Sequence, residues 1–329
     1  MTQKPNLRQP VPGMIAPVEQ KVLENLTARL ELKGDDCLVE FGSFLGKSTA
    51  SICYGLAKNT RVNNSTKFFA YDSFRCHSKG SFLPHLLKHC KQANVEHLLE
   101  ITGDYFNFFP VFEYYLAEFI DSNLLIPRRL ELIESFPSKS NIAFMHIDSP
   151  KMYSDFKPIL FRFFPKLNKG SYIIFQDFFY HWSSSLIAII WALVSRDIIT
   201  PIQAASTSLV CEVKQRPNKN EIRDLDWAMK DDNFQLQKLN LAIETFSAIE
   251  FDQKSIFFPR LILARAQFLC ERGFHSEAAE TIGRYRRENV QVSQDFLSSL
   301  EELISFNFSI EKAYRLDHGQ FSELEQDLE

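Results

Sequence analysis

Leu38-Val39-Glu40-Phe41-Gly42-Ser43-Phe44-Leu45-Gly46-Lys47-Ser48-Thr49 is the stretch on which the reading of this chain turns. The apolar run from Cys37 to Val39 has the character of a buried strand. It ends in an acid and passes into a loop with two glycines. A helix is predicted from about Lys47 to Leu56. Strand, tight glycine turn and helix N-terminus in succession make a place for a ligand. Glycines let backbone come close to it, and the free N–H groups at the helix start attract a carboxylate or phosphate. A nucleotide-like cofactor suits such a loop.

The pattern repeats along the chain. Val18, Val22, Leu23, Leu26 and Leu30 recur at helical spacing, which predicts an amphipathic helix over about 16–32. Strands are predicted at Lys67–Asp72, Leu98–Thr102, Asn141–Ile147 and Ser171–Gln176, with a closing hairpin at Ile198–Ala204 and Ser208–Val213. Helices are predicted at Leu83–Ala93, over most of Tyr105–Phe136, at Tyr153–Leu167 and at Ser184–Ser195, and Asn168-Lys169-Gly170 reads as a turn. Strands alternating with helices imply a doubly wound, mainly parallel α/β sheet whose strand carboxyl ends share one edge. Ligands bind at that edge. Glu40, Asp72, Asp104, Asp148 and Asp177 each end a predicted strand or follow it closely. Acids are common in turns, but their repetition at equivalent places points to function.

Beyond Gln215-Arg216-Pro217-Asn218 the strand signals stop. Helices are predicted at Phe234–Ile249, Ser255–Glu271, His275–Asn289 and Val292–Phe306. Ala264 to Ala279 faintly resembles one tetratricopeptide unit, and a single unit cannot stack. The expected organisation is a flexible N-terminus over 1–15, a sheet domain over 16–215 and an all-helical extension over 216–329. The 329 residues suffice for more than one folding unit, and a net charge of −4 implies no nucleic-acid partner. Six scattered cysteines without a CxxC pair fit reduced thiols in a cytoplasmic protein. The longest strongly apolar run, Leu186 to Val194, is too short for a membrane span.

Two chemistries compete for the glycine loop. Gly42 to Ser48 is one residue short of the phosphate-binding G-x-x-x-x-G-K-[ST] pattern, and Phe41 stands where its first glycine belongs. A P-loop-like NTPase is therefore one reading. In the other, Glu40-Phe41-Gly42 begins the glycine loop of a class I S-adenosylmethionine (SAM) methyltransferase. The chain from about Met14 to Val213 resembles that family, closest to the O-methyltransferase branch acting on natural-product sugars or catechol-like hydroxyls. Three stretches carry the resemblance: Val39 to Thr49, His146-Ile147-Asp148-Ser149-Pro150-Lys151-Met152-Tyr153, and Phe164 to Asp177 with its Lys169-Gly170, strand and acid.

The resemblance implies a seven-stranded Rossmann-like methyltransferase fold and a set of cofactor contacts. Gly42 and Gly46 would pass the methionine part of SAM, and Glu40 matches the acid of the loop. Ser43, Ser48 and Asp148 join the expected cofactor contacts. Asp72 would accept hydrogen bonds from both ribose hydroxyls, since a carboxylate offers two oxygens. Asp104 matches a residue near the adenine amino group. In the catechol-type branch a divalent metal chelates the acceptor, so Asp148 and Asp177 are the expected pair for Mg²⁺ and Lys151 the expected base. Phe178, where relatives usually carry a second acid or an asparagine, argues against the metal. Without the metal, His181 is the candidate base.

Cys76, His77, His85, His89 and Cys90 cluster without the spacing of any zinc module and suggest a polar lid. The expected activity is SAM-dependent O-methylation of a small-molecule or glycan hydroxyl, in a protein bound neither to nucleic acid nor to membrane, with a homodimer as the expected assembly. A catalytically silent binding protein acting through its C-terminal helices is the alternative.

Overall fold

Cys37 to Phe41 are buried along their whole length, as a strand inside a parallel sheet requires. The computed structural model describes residues 10–130, 136, 140–180, 183–251 and 254–288. Along them run α1 (Pro17–Ala28), β1 (Cys37–Phe41), α2 (Lys47–Lys58), β2 (Lys67–Asp72), β3 (Arg75–His77), α3 (Leu83–Gln92), β4 (Glu100–Thr102), β5 (Tyr105–Asn107), α4 (Phe109–Asp121) and β6 (Leu125–Arg129). Then come β7 (Ile142–Ile147), α5 (Tyr153–Phe163), β8 (Leu167–Phe175), α6 (Ser184–Ser195), β9 (Ile199–Ala205), β10 (Ser208–Val213), α7 (Lys219–Ala228), α8 (Asp232–Ala248), α9 (Lys254–Glu271) and α10 (His275–Glu288).

Seven strands form one sheet in the order β6-β2-β1-β7-β8-β10-β9, and β3, β5 and β4 form a second, three-stranded sheet. β1 runs parallel to β2 and β7, and β2 runs parallel to β6. β9 and β10 pair antiparallel, as the expected closing hairpin. The doubly wound, mainly parallel sheet is therefore present, followed by helices. By packing, the chain divides into two units. One comprises residues up to 149 together with 166–174. The other comprises 150–165 and the chain from 175 onward.

In the first unit, Phe41 and Tyr71 stack at 5.4 Å between ring centroids. Thr27 ties α1 to α2 by donating to the Ile52 carbonyl at 3.2 Å. In the second unit, α6 is apolar on nearly every side, and its residues from Leu186 to Leu193 are all buried. The helices after β10 use that apolar surface. Trp191 of α6 meets Phe246 of α8 at 5.3 Å. Phe178 and Phe179, just after β8, also pack on Phe246, at 5.7 and 5.0 Å, and Phe179 stacks on Phe251 at 5.4 Å.

The structure corrects several expectations. Leu98–Thr102 is not the third strand of the main sheet: β4 belongs to the small sheet, and the main-sheet place falls to β6, inside a stretch expected to be helical. Asn168-Lys169-Gly170 lies within β8 rather than in a turn before it. α1 ends at Ala28, short of the predicted Leu32. α7 was not expected. Asn218 caps it, accepting from the N–H groups of Asn220 and Glu221, while Glu221 reaches back to the Asn218 N–H at 2.7 Å. The predicted helix at 292–306 lies outside the described residues.

The aromatic contacts around Phe246 carry a direct test. Phe246→Ala should destabilise the protein by about 3–5 kcal/mol in urea unfolding, the cost of emptying a buried aromatic site. A loss under about 1 kcal/mol would mean that Phe246 does not fill a buried site.

Candidate functional site

The end of β1 is built to bring backbone close to backbone. Gly42 has φ 90°, and a Cβ there would sit 2.6 Å from the Ser149 nitrogen. The N–H groups of Asp148 and Ser149 both donate to the Phe41 carbonyl, at 2.8 and 3.0 Å. The segment after β7 is thus fastened to the end of β1. Gly46, at φ 98°, starts α2, and a Cβ there would meet Leu116 of α4 at 2.7 Å.

Between the glycines the loop is held from the next strand. Asp72, at the end of β2, accepts the Phe44 N–H at 2.8 Å through Oδ2 and the Phe74 N–H at 2.8 Å through Oδ1. Both phenylalanines are left-handed, with φ 47° and 52°, a conformation that side-chain-bearing residues rarely adopt. One carboxylate therefore holds two strained residues in place. Burial raises Asp72 from its ordinary 3.8 to about 6, against the pull of the N–H groups it accepts. The Phe44 ring packs edge-on against Phe82, Phe108 and His89, at 5.0, 5.7 and 6.0 Å.

The other predicted residues fall as follows. Ser43 is buried, and its Oγ has no hydrogen-bond partner among the described residues. Ser48 is buried in the first turn of α2, and Asp148 is half-buried just past β7. Glu40 does not open to a ligand. It is fully buried, with Oε2 accepting from Thr49 at 2.5 Å and Oε1 meeting His146 Nδ1 at 2.9 Å. Its place is beneath the loop, joining β1, α2 and β7, which corrects the expected direct cofactor contact. Asp104 is exposed in the turn between β4 and β5, so it does not follow a main-sheet strand, and the positional ground for an adenine contact is gone. At the end of the true third strand, Arg129 pairs with Asp72 in the sheet register.

Lys47 decides against the phosphate reading. Its Nζ donates to the carbonyls of Ile15 and Gly13, at 2.9 and 3.4 Å, and burial lowers its pKa. A P-loop lysine must reach phosphates, and this one is spent on the segment before α1. Among the described residues no group of three or more His, Cys, Asp or Glu is placed to hold a metal ion. His89 instead packs on Phe44, and burial pushes the Cys90 thiol up to about 11.

In the second unit the acid after β8 has two partners. Lys151 Nζ donates to Asp177 Oδ2 at 2.6 Å, and the Thr207 hydroxyl donates to Oδ1 at 3.1 Å. Gln176 Nε2 donates to Thr207 Oγ1 at 3.3 Å, and Ser208 Oγ donates to Gln176 Oε1 at 2.7 Å. Asp177 itself is left-handed, at φ 58°. An ammonium group occupies the oxygen that a cation would need, and the flanking Phe178 offers no ligand. These residues do not fit the expected Mg²⁺ site. His181, the other candidate base, lies outside the described residues. No helix among the described residues is long and apolar enough to cross a membrane.

The sequence from 39 to 178 matches the family model described as "Methyltransferase domain". No curated protein matches the chain. Among solved structures similar to it are an O-methyltransferase from Bacillus cereus in complex with SAH, a TDP-rhamnose 3′-O-methyltransferase of calicheamicin biosynthesis and the O-methyltransferase NovP. The Bacillus enzyme is 12% identical, with 64% of this chain and 84% of that one covered and a TM-score of 0.40. The calicheamicin enzyme is 15% identical, covering 59% and 76%, with a TM-score of 0.38. NovP is 17% identical, covering 60% and 78%, with a TM-score of 0.36. These overlays are loose, and the domain's fold rests on its own sheet order.

The close approach at Gly42 makes a prediction for the segment that the family model matches. Gly42→Ala combines a left-handed φ with a clash against backbone, and it should cost about 2 kcal/mol or more in urea unfolding. An unchanged midpoint would show that the segment at Ser149 yields freely.

Proposed function

We propose that the protein is a SAM-dependent methyltransferase acting on a hydroxyl of a small molecule or glycan. The observation that carries this is the Asp72 carboxylate, which stands at the end of β2 beside the glycine loop and organises that loop through Phe44. Its Oδ1 also meets the Ser73 hydroxyl at 3.5 Å, a long contact that the hydroxyls of a ribose diol would replace. The buried Ser43 Oγ, without a partner among the described residues, suits the same ligand. Gly42, Gly46 and Asp72 would hold the cofactor, with Ser43, Ser48 and Asp148 near it. Bound SAM supplies an electrophilic methyl group.

The choice of a hydroxyl acceptor follows from the motif resemblance and from the Lys151–Asp177 pair. Asp177 offers a carboxylate that accepts the acceptor's proton in a hydrogen bond, and Lys151 fixes that carboxylate's position. His181 is the group proposed to take the proton away; Lys151 would do so only as the neutral amine, after releasing the proton it shares with Asp177. A cytoplasmic location and a homodimer belong to the same reading.

The test is a calorimetric titration of the full chain with SAM and, separately, with ATP. Wild-type protein should bind SAM in the micromolar range and ATP far more weakly. Asp72→Ala should weaken SAM binding by about 100-fold or more, the loss of two hydrogen bonds to a charged group. SAM affinity unchanged in Asp72→Ala, or tight ATP binding without SAM binding, contradicts the proposal. SAM binding without methyl transfer to any hydroxyl in a broad panel would favour the silent binding protein.

The pH dependence follows from the raised pKa of Asp72. In the ligand-free chain, this group's contribution to stability is full below its ordinary 3.8 and is lost as pH rises through about 6. SAM binding runs the other way, because the ribose needs the carboxylate. Affinity should fall about tenfold between pH 7 and pH 5. A flat profile over that range contradicts the role given to Asp72.

A further inference from the structure

Arg260 lies outside everything assigned above. It sits on α9, and its guanidinium carbon is 4.7 Å from the ring centroid of Tyr180 and 5.1 Å from that of Phe257. Its Nη1 is buried and has no hydrogen-bond partner among the described residues. A guanidinium is always charged and carries only donors. Leaving one of them buried and unsatisfied is costly, and such a group in a native protein calls for an explanation.

The surroundings supply one. Tyr180 belongs to the turn that starts at Asp177, since its N–H donates to the Asp177 carbonyl at 3.0 Å. Phe257 packs on Phe179 of the same turn, at 6.3 Å between centroids. α9 therefore brings a fixed cation beside the segment that carries the Lys151–Asp177 pair. Cation–π contact with two rings orients the guanidinium and leaves Nη1 as a donor for an oxyanion.

We propose that Arg260 binds an anionic group on the methyl acceptor, a phosphate or a carboxylate, and so selects acceptors that carry one. This rests on the methyl-transfer reading of the same segment. It makes the helices after β10 part of acceptor recognition through a residue of their own.

The experiment uses the full chain and simple anions. Thermal unfolding is followed in increasing phosphate, acetate and chloride at matched ionic strength, for wild type, Arg260→Gln and Arg260→Lys, with SAM affinity measured for each. Phosphate or acetate should raise the wild-type midpoint saturably above chloride, and the rise should vanish in Arg260→Gln. The anion that acts tells a phosphate-bearing acceptor from a carboxylate-bearing one. If Arg260→Gln does not melt cooperatively, Arg260→Lys decides. Losing the guanidinium fork should raise its half-saturating anion concentration about tenfold, by the difference between a bidentate donor and a point charge.

No saturable response in wild type overturns the proposal. So does an equal response in Arg260→Gln, or an unchanged half-saturation in Arg260→Lys. A wild-type chain that binds SAM but shows no saturable anion response removes only the role of Arg260. A wild-type chain that binds anions through Arg260 but never binds SAM removes the methyl-transfer reading instead.

Discussion

One carboxylate governs the glycine loop. Asp72 is partly buried and accepts N–H groups from two phenylalanines held in the left-handed region. Neither residue would hold that conformation without a partner, because each bears a side chain that the backbone there disfavours. Phe44 then directs its ring into the cluster of Phe82, His89 and Phe108, and Phe74 packs on Phe108, Phe109 and Phe112. The loop, the small sheet and α4 thus take their places from the strand end that would meet a cofactor. Beneath the loop, Glu40 adds a second buried carboxylate, joined to Thr49 and His146. Two acids that look alike in the sequence are divided by depth. The deeper one braces the framework and the shallower one holds the loop beside it.

The second unit follows a similar logic with different chemistry. Asp177 is left-handed and held by Lys151 and Thr207, and the two phenylalanines after it are buried against Trp191, Phe246 and Phe251. The polar acid is set by the apolar residues that follow it. Helices that would otherwise be an appendage anchor the turn that bears Asp177. Arg260 comes from the same helices, so recognition and stability share one set of contacts.

The parts of this fold that were legible in the sequence are those where periodicity and polar boundaries agree. Lys67–Asp72, Ser184–Ser195 and Ser208–Val213 have the predicted bounds because turn residues flank each apolar run. β6 escaped because Leu125-Ile126-Pro127-Arg128-Arg129 is short and contains a proline, which a strand tolerates at the sheet edge where β6 lies. It also follows an aromatic helix, so the whole stretch had helical character. Asn168-Lys169-Gly170 has turn composition, and it sits in a strand whose residues 169 and 170 are exposed. The small sheet has strands of three residues, too short to leave a period. α7 was legible in principle, since Asn218-x-x-Glu221 is a capping box. The engagement of Glu40 and of Asp177 depended on partners far along the chain, as did the contact of Arg260 with Tyr180. No local pattern encodes those meetings.

Hydrogen exchange on the full chain, with and without SAM, tests the central claim most directly. Amides over residues 42–46 and 72–74 should gain protection when SAM is added and should be unaffected by ATP. Protection of that segment by ATP alone, or SAM-dependent protection confined to other parts of the chain, would contradict the account.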